Sequence, residues 1–321
     1  MSALSKKSRN MVKYYLNRQR GEIEYFMKGG FIWIHRNRSY KDYSPEKDLV
    51  EMRTDGEHYE LRWSDGVYSE PVLKIPVKRR TVRGMDPGPQ KDMFEFVAEM
   101  FPKPVLHIDF PAWGDLEVFT DTINFMKSLN ATVKTMKVGE ESWISDRMMK
   151  AVLNECSDVK SLTIRSIATS FRFFDDLLDH PPFKFDFFKL RCADWVTKDR
   201  LIHLFLKCKK VFLSNFRMNY NDQELTEICE KWLEAPEAEH LEIKSSLNFF
   251  ESIGRLPGAV PIKEVQLFDG YDEYGFYGGG LSFPPGKCYK MEKANGTPAI
   301  VYHERSCIVF RTDFHSVVVR E

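Results

Sequence analysis

The feature that most constrains the fold is a strand-and-helix unit that recurs between residues 104 and 268 of the 321-residue chain. Short segments with two apolar residues at positions i and i+2 alternate with segments of helical spacing. The second apolar residue of each pair is an anchor, and successive anchors are 30, 26, 26, 23, 30 and 24 residues apart. The anchors are Ile108, Val138, Ile164, Leu190, Leu213, Ile243 and Leu267. This spacing predicts parallel strands joined by helices.

The segments between the strands begin with residues that are typical of helix N-caps. These residues are Asp115, Ser145, Thr197 and Asn221. Their short polar side chains can accept a hydrogen bond from the free backbone amides of a first helical turn. After Thr197, the apolar residues Leu201, Leu204 and Phe205 share one helical face. That face is expected to cover the sheet.

The fold class predicted from this pattern is α/β, or α+β overall. Residues 91–321 are expected to form an irregular, leucine-rich-repeat-like solenoid of strands and helices, with the anchors buried on neighbouring, mostly parallel strands of one sheet. Only Leu213-Ser-Asn215 approaches the repeat consensus. A doubly wound α/β sheet is the competing architecture. The even unit length and the lack of a Gly-rich phosphate turn favour the solenoid.

The preceding part of the chain has a different pattern. From Ile23 to Ile75, segments such as "FIWIHR" and "HYELRW" are rich in β-branched and aromatic residues at a period of two. Asp55-Gly56 and Asp65-Gly66 separate such segments and are typical of tight turns. Residues 21–77 are therefore predicted to form a small antiparallel β-meander. Residues 78–90, which are charged and rich in Gly and Pro, are predicted to be a linker.

The composition limits where the protein is expected to act and which class of partner it is expected to bind. The chain has 47 Lys and Arg residues and 47 Asp and Glu residues, so overall charge gives no reason to expect nucleic acid or a membrane as the main partner. It contains no long apolar run and no secretory signal pattern. The six cysteines are scattered and have no CxxC spacing. These features predict reduced thiols in a cytoplasmic or nuclear protein.

Motifs that would carry chemistry are not found in the sequence. There is no HExxH and no Cys/His spacing suited to zinc, and "GGGLSFPPGKC" lacks the pattern of a phosphate loop and is predicted to be an ordinary loop. The paired carboxylates Glu140-Glu141 and Asp175-Asp176 are typical of solvated positions. "FRFFDDLLDHPPFKFDFF" contains seven Phe residues, most of which are predicted to lie in the core. No catalytic residue, metal or cofactor is expected.

The N-terminal segment has the spacing of an amphipathic helix within residues 1–20. Its apolar residues are Leu4, Met11, Val12 and Leu16, and basic residues lie between them. Residues 1–40 contain nine Lys and Arg against two Glu, a local excess of +7. An apolar stripe on a terminal helix must be buried against this chain or against a partner. Leu4, Met11, Val12 and Leu16 are therefore candidate partner-binding residues.

Two stretches resemble a known family. "WVTKDRLIHLFLKCKKVFLSNFRMNYNDQELTEICEKWLEAPEAEHLEIKSS" resembles the type 2 F-box-associated domain that is expanded in nematodes, and "KMEKANGTPAIVYHERSCIVFRT" resembles its closing hairpin. "LSKKSRNMVKYYL" resembles the closing third of an F-box, with Ser5, Lys6, Arg9 and Val12 at matching positions. By this resemblance, residues 1–20 are an F-box remnant helix and residues 91–321 are the F-box-associated domain.

The resemblance implies a non-catalytic substrate-recognition subunit of a cullin-RING ubiquitin ligase. The N-terminal helix would contact the Skp-type adaptor, and the repeat-like domain would bind an unknown target protein. Two other hypotheses remain open from the sequence. One is a protein-interaction module uncoupled from the ligase, because the matching part of the F-box is incomplete in this chain. The other is an unrecognised α/β enzyme, which a pocket of perturbed titratable groups would favour.

Overall fold

The computed structural model describes residues 23–28, 31–36, 49–54, 58–64, 69–76, 105–110, 116–128, 131–139, 144–166, 180–214, 220–244, 250–272, 275–284, 287–304 and 307–319. The chain divides into two compact units, Met1–Val159 and Lys160–Glu321. The predicted N-terminal helix, the predicted linker at 78–90 and the turns at Asp55-Gly56 and Asp65-Gly66 lie outside the described residues.

The first unit begins with the antiparallel meander that the sequence predicts. Its strands are β1 (Ile23–Lys28), β2 (Phe31–Arg36), β3 (Leu49–Thr54), β4 (His58–Ser64) and β5 (Ser69–Pro76). Each strand pairs in antiparallel fashion with the next. The alternating β-branched and aromatic residues therefore identify these strands correctly.

The meander shares a sheet with the first strand-and-helix units. Strand β1 also pairs in parallel with β6 (Val105–Phe110), which pairs in parallel with β7 (Thr132–Val138). The predicted boundary at residues 78–90 therefore lies within the first unit. The anchors Ile108 and Val138 are buried on the adjacent strands β6 and β7, with 3% and 0% of their surface exposed.

Two helices of the first unit follow β6 and β7. They are α1 (Leu116–Ser128) and α2 (Asp146–Glu155). The Oγ atom of Ser145 accepts a hydrogen bond from the backbone N of Met148 at 3.2 Å, which confirms the predicted N-cap of α2. Phe119 of α1 contacts Phe110 of β6 edge to face, with ring centroids 5.3 Å apart.

The second unit begins with four parallel strands. They are β8 (Ser161–Ile164), β9 (Phe187–Leu190), β10 (Lys210–Leu213) and β11 (His240–Lys244), and each pairs in parallel with the next. The anchors Ile164, Leu190, Leu213 and Ile243 stand directly opposite one another along this series. All four are almost fully buried. The prediction of neighbouring parallel strands with buried anchors is confirmed for this segment.

The helices between these strands begin at the predicted caps. The short helix α3 (Lys198–Arg200) starts after Thr197 and continues as a π-helical segment (Leu201–Phe205). Helix α4 (Asp222–Glu234) begins with a capping box, in which Asn221 Oδ1 accepts from the backbone N of Glu224 at 3.0 Å and the Asn221 N donates to a Glu224 carboxylate oxygen at 2.8 Å. A further short helix, α5, spans Phe250–Ile253.

These helices cover one face of the sheet, which we call the helix face. Phe205 of the π-helical segment stacks on Phe188 of β9 at 4.8 Å between ring centroids. Phe183 and Phe185 join this cluster and are buried, as predicted for the Phe-rich segment. Because the anchors follow Phe188 and its paired residues at intervals of two, they lie on the same face.

The C-terminal strands are antiparallel. They are β12 (Val260–Asp272), β13 (Gly275–Ser282), β14 (Cys288–Glu292), β15 (Pro298–Glu304), β16 (Cys307–Arg311) and β17 (Phe314–Val319). Strand β16 pairs with β11 and β15, and β15 pairs with β14. Strand β12 pairs with β13 and β17, and its first two residues also pair with β14.

Two predictions are wrong in this region. Leu267 does not extend the parallel series, since it pairs with Gly279 of β13 and Phe314 of β17 in antiparallel register. Strand β11 pairs with β10 on one side and in antiparallel register with β16 on the other, so β12 cannot pair with β11 to continue the parallel series. The segment "GGGLS" belongs to β13 rather than to a loop, because strand pairing uses backbone groups that glycine also supplies.

The antiparallel strands close a small core of their own. Buried residues of β12, β14, β15 and β16 meet on the side of β14–β16 that faces away from the helices, and Phe283 contacts Tyr302 with ring centroids 5.2 Å apart. These residues are Ile262, Val265, Phe283, Cys288, Ile300, Tyr302 and Val309. Within the described residues, no helix has both the length and the apolar character that a membrane span requires.

Candidate functional site

The predicted partner-binding residues Leu4, Met11, Val12 and Leu16 lie outside the described residues. In the second unit, side chains of four parallel strands line both faces of one sheet.

The face of β8–β11 that points away from the helices, here called the open face, carries polar and aromatic side chains. Side chains alternate along a strand, so each residue next to a buried anchor points to this face. Hydrogen bonds from the Arg191 N to the Ile164 O and from the Ser214 N to the Leu190 O continue the pairing beyond the strand ends. The open face consists of Ser161, Thr163, Arg165, Phe187, Lys189, Arg191, Lys210, Phe212, Ser214, His240, Glu242 and Lys244.

Asp313 joins two strands at one border of the open face. Its Oδ1 atom accepts a hydrogen bond from Arg311 Nε at 2.8 Å, and its Oδ2 lies 3.3 Å from Lys210 Nζ. Arg311 also donates to the Asp313 carbonyl at 3.1 Å. A single carboxylate thus serves two cations, one from β10 and one from β16.

His240 lies between two carboxylates on the same border. Its Nδ1 is 4.0 Å from an Asp313 oxygen and its Nε2 is 3.9 Å from a Glu242 oxygen. Both distances exceed hydrogen-bond length, and the Nε2 atom has no hydrogen-bond partner among the described residues. The two ring nitrogens of His240 therefore face two different carboxylates.

The electrostatic setting lowers the pKa of both carboxyl groups. Burial alone would raise the pKa of Asp313, but His240 and Arg311 outweigh it, and the pKa lies well below its usual range. For Glu242, burial again acts upward, whereas His240 and the thiol of Cys307 favour the carboxylate, and the pKa is lowered. Both groups therefore stay ionised near neutral pH, which makes them poor general acids.

Aromatic rings lie beside this charged border. Phe212 stacks on the His240 ring at 4.6 Å and meets Phe187 at 5.1 Å between ring centroids. Both phenylalanines are only half-buried, unlike Phe188 and Phe205 on the helix face. The open face therefore combines charged groups with partly exposed aromatic rings, and aromatic residues are enriched at protein interfaces.

The thiols of the described residues are in settings that disfavour nucleophilic chemistry. Burial raises the pKa of Cys156, Cys208 and Cys288 to about 12. Burial and the nearby Glu242 raise the pKa of Cys307 to about 12 as well. Because the thiolate is the reactive form, these groups are inert at neutral pH. Within the described residues, no group of three His, Cys, Asp or Glu side chains is arranged to hold a metal ion.

Lys293 is the buried cation of the helix side. Its Nζ donates to the carbonyl oxygens of Trp232 at 2.9 Å and Ala238 at 2.6 Å, and it lies 3.9 Å from the centre of the Trp232 ring. The side chain is 3% exposed, and burial lowers the pKa of the ammonium group to about 8. Its donors are committed to the end of α4, so it acts as a helix C-cap rather than as a nucleophile.

A shallow groove lies where α4 ends, beside the π-helical segment. Its walls combine apolar side chains with lysines and glutamates, and Lys231 pairs with Glu234 at 2.7 Å. The lining residues are Lys184, Ile202, Leu206, Lys207, Lys231, Glu234, Ala235, Pro236 and Glu237. It is open to solvent, and the Lys231–Glu234 pair lies on the surface of α4.

The open-face cluster was not predicted from the sequence. A partial signal exists in "HLEIK", where His240, Glu242 and Lys244 alternate with buried residues. No sequence pattern indicates that Asp313 belongs to the cluster, because it contacts Lys210 from a position 103 residues away in the chain.

Comparisons with known proteins do not favour any of the hypotheses on function. No protein-family model, no curated protein and no solved structure matches the chain.

Proposed function

We propose that this protein is a non-catalytic substrate-recognition subunit of a cullin-RING ubiquitin ligase. The second unit binds the target protein, and the N-terminal helix connects it to the Skp-type adaptor. The protein would act in the cytoplasm or nucleus by proximity: a tethered target reaches effective concentrations in the mM range near the ubiquitin carrier, without chemistry by this chain. This role matches the family that the sequence resembles.

The observation that carries the proposal is the difference between the two faces of β8–β11. Regular rows of buried apolar side chains support the sheet from the helix face. The opposite face carries the half-buried rings of Phe187 and Phe212 and charged groups, of which Lys189 and His240 are buried. Such a surface is suited to contact a folded or extended protein segment. The thiols and carboxylates described above are held in single protonation states, which supports recognition over catalysis.

We further propose that the strand-and-helix units form an irregular, leucine-rich-repeat-like array. The parallel pairing of β8, β9, β10 and β11 and the alignment of their anchors support this arrangement. Each strand-and-helix unit in such an array stabilises mainly its neighbours. The antiparallel strands β12–β17 would then close the array at its C-terminal end.

The ligase connection is tested by titrating purified Skp-type adaptor against the full chain. Burying Leu4, Val12 and Leu16 is worth at most roughly 9 kcal/mol. Association costs an estimated 4–15 kcal/mol, so we expect a dissociation constant weaker than about 1 µM. Val12→Asp should abolish the binding, and Lys207→Glu in the second unit should leave it unchanged. Equal binding of Val12→Asp would show that the helix is not the docking element, and no binding by the parental chain would refute the ligase connection.

A further inference from the structure

The turn between β14 and β15 contains the one Asn-Gly pair of the sequence, Asn295-Gly296. Both residues are exposed, and Gly296 has a φ of +82°, the left-handed conformation that glycine adopts most easily. The Gly296 N donates to the Lys293 O at 2.8 Å, and the Lys293 N donates to the Thr297 O at 2.9 Å. These two hydrogen bonds close the turn and depend on the length of backbone between their ends.

The same turn holds the end of α4. Lys293 Nζ donates to the carbonyl oxygens of Trp232 and Ala238. The backbone N of Ala294 donates to the Leu233 O at 3.0 Å. Because the last carbonyls of a helix have no partner within the helix, the turn supplies partners from a distant part of the chain. A change in the backbone of the turn therefore acts on the last turn of α4.

The side chain of Asn295 has the setting of an electrophile. Its Oδ1 atom accepts a hydrogen bond from the Thr297 N at 3.1 Å. A donor in this position stabilises the negative charge that develops on the amide oxygen when a nucleophile attacks the amide carbon. The next nitrogen along the chain is that of Gly296, and glycine has no side chain to hinder its approach.

We propose that Asn295 is a site of spontaneous deamidation and that its conversion releases the hold of the β14–β15 turn on α4. The Gly296 nitrogen attacks Cγ of Asn295, a bond forms between these two atoms, and the bond from Cγ to Nδ2 breaks. The proton of the Gly296 nitrogen leaves with Nδ2 as ammonia, and a cyclic imide results. Water then opens the imide at either carbonyl carbon, which gives an aspartate or an isoaspartyl linkage. This inference does not depend on the proposed recognition function.

The hydrogen bonds of the turn control the rate. In the folded chain the Gly296 N–H is engaged by the Lys293 O, so the turn must open before the nitrogen can attack. Exposed turns open locally at a small cost in free energy, and the folded chain therefore converts slowly and the unfolded chain quickly. The isoaspartyl product has one more backbone carbon between residues 293 and 297. The bonds that close the turn cannot both be kept, and the contacts with α4 weaken.

The first experiment incubates the full chain at mildly alkaline pH and follows proteolytic peptides by mass spectrometry. We expect the peptide that contains Asn295 to gain the mass difference between an amide NH2 group and OH, and unfolding in urea should accelerate this gain about tenfold or more. Asn221, which is exposed but precedes Asp222, is the internal control and should not change over the same period. Asn295→Gln should not react, since its longer side chain must form a larger ring.

Two outcomes of the mass measurement overturn the assignment of the site. One is no mass gain at Asn295 in the folded chain, and the other is an equal gain at Asn221. Equal rates in buffer and in urea would overturn the control by the turn.

The second experiment measures amide hydrogen exchange in the last turn of α4, residues 231–235, before and after conversion. The isoaspartyl form should exchange about tenfold faster than the fresh chain. Asn295→Asp carries the new charge without the longer backbone and should stay within about twofold of the fresh chain. Unchanged exchange in the isoaspartyl form would overturn the release of α4, and equal acceleration in Asn295→Asp would overturn the role of the longer backbone.

Discussion

The two faces of β8–β11 use the same backbone in different ways. On the helix face, Phe188, Leu190 and Leu213 are almost completely buried. On the open face, their immediate neighbours Phe187 and Phe212 are half-buried beside His240. The difference shows that hydrophobicity alone does not tell which residues hold this sheet together, because both faces contain phenylalanine. Whether a phenylalanine of this sheet is fully buried depends on whether the helices cover its face.

The largest effect should come from adjacent phenylalanines on opposite faces. Phe188→Ala removes a fully buried ring that stacks on Phe205 and should lower the free energy of unfolding by about 3–5 kcal/mol. Phe187→Ala removes a half-buried ring and should cost about 1–2 kcal/mol. Urea denaturation of the full chain, followed by intrinsic fluorescence, measures both. Equal losses would mean that the open face is as well covered as the helix face.

A second expectation contrasts a buried cation of the helix side with exposed lysines. Burial lowers the pKa of Lys293 from 10.5 to about 8, so the unfolded chain binds more protons than the folded chain between these values. The contribution of Lys293 to stability should therefore rise with pH, by at most about 3 kcal/mol from pH 8 to pH 10.5. The difference between the parental chain and Lys293→Met, measured by urea denaturation across this range, isolates the effect.

Lys207→Met at an exposed position is the control for Lys293 and should keep the pH-dependent rise of the parental chain. A stability difference between the parental chain and Lys293→Met that stays flat across the range would contradict the lowered pKa.

A third expectation concerns the border of the open face. Asp313→Asn weakens the contacts with Arg311 and Lys210 and should cost about 1–3 kcal/mol near neutral pH. Because the pKa of Asp313 is lowered in the folded chain, its contribution is present above the ordinary pKa of a carboxyl group and is lost as pH falls below it. The loss caused by Asp313→Asn should shrink in acid. Thermal unfolding from pH 3 to pH 7 would measure the stability difference between the parental chain and Asp313→Asn. A difference that increased in acid would be inconsistent with this account.

The smallest expected effect is at the start of α4, where the helix layer meets solvent. Asn221→Ala removes the capping box and should cost about 1 kcal/mol, whereas Asn221→Asp should be nearly neutral, since both Asn and Asp are effective caps. Chemical denaturation compares the two variants. Equal losses for both would show that the cap is not responsible for the effect.

Local patterns predicted much of this fold. The alternation in "VKTMKV" and "AEHLEIKS", and the caps Ser145, Thr197 and Asn221, give the strands and helix starts because the forces involved act within a few residues. Leu267 has the same local pattern as the other anchors and was assigned to the wrong kind of pairing, since parallel and antiparallel partners are chosen by connections outside the strand.

The candidate site was beyond local patterns for a similar reason. Lys210 and Asp313 are brought together by the pairing of β16 with β11. The residues next to them in the sequence give no sign of this contact. A half-exposed phenylalanine such as Phe212 also looks like a core residue until the opposite layer is known. The site therefore depends on long-range strand pairing, which local sequence patterns do not reveal.

The pairing of β11 with β16 has a consequence for synthesis of the protein on the ribosome. The residues of β8 to β11 have all been synthesised once Lys244 has left the ribosome. Strand β16 (Cys307–Arg311), which pairs with the edge of β11, is synthesised more than 60 residues later. During that interval the backbone amides and carbonyls along one side of β11 lack their final partner, and an open strand edge readily pairs with other chains. Nascent chains arrested between these points should be aggregation-prone and should depend on chaperones that shield strand edges.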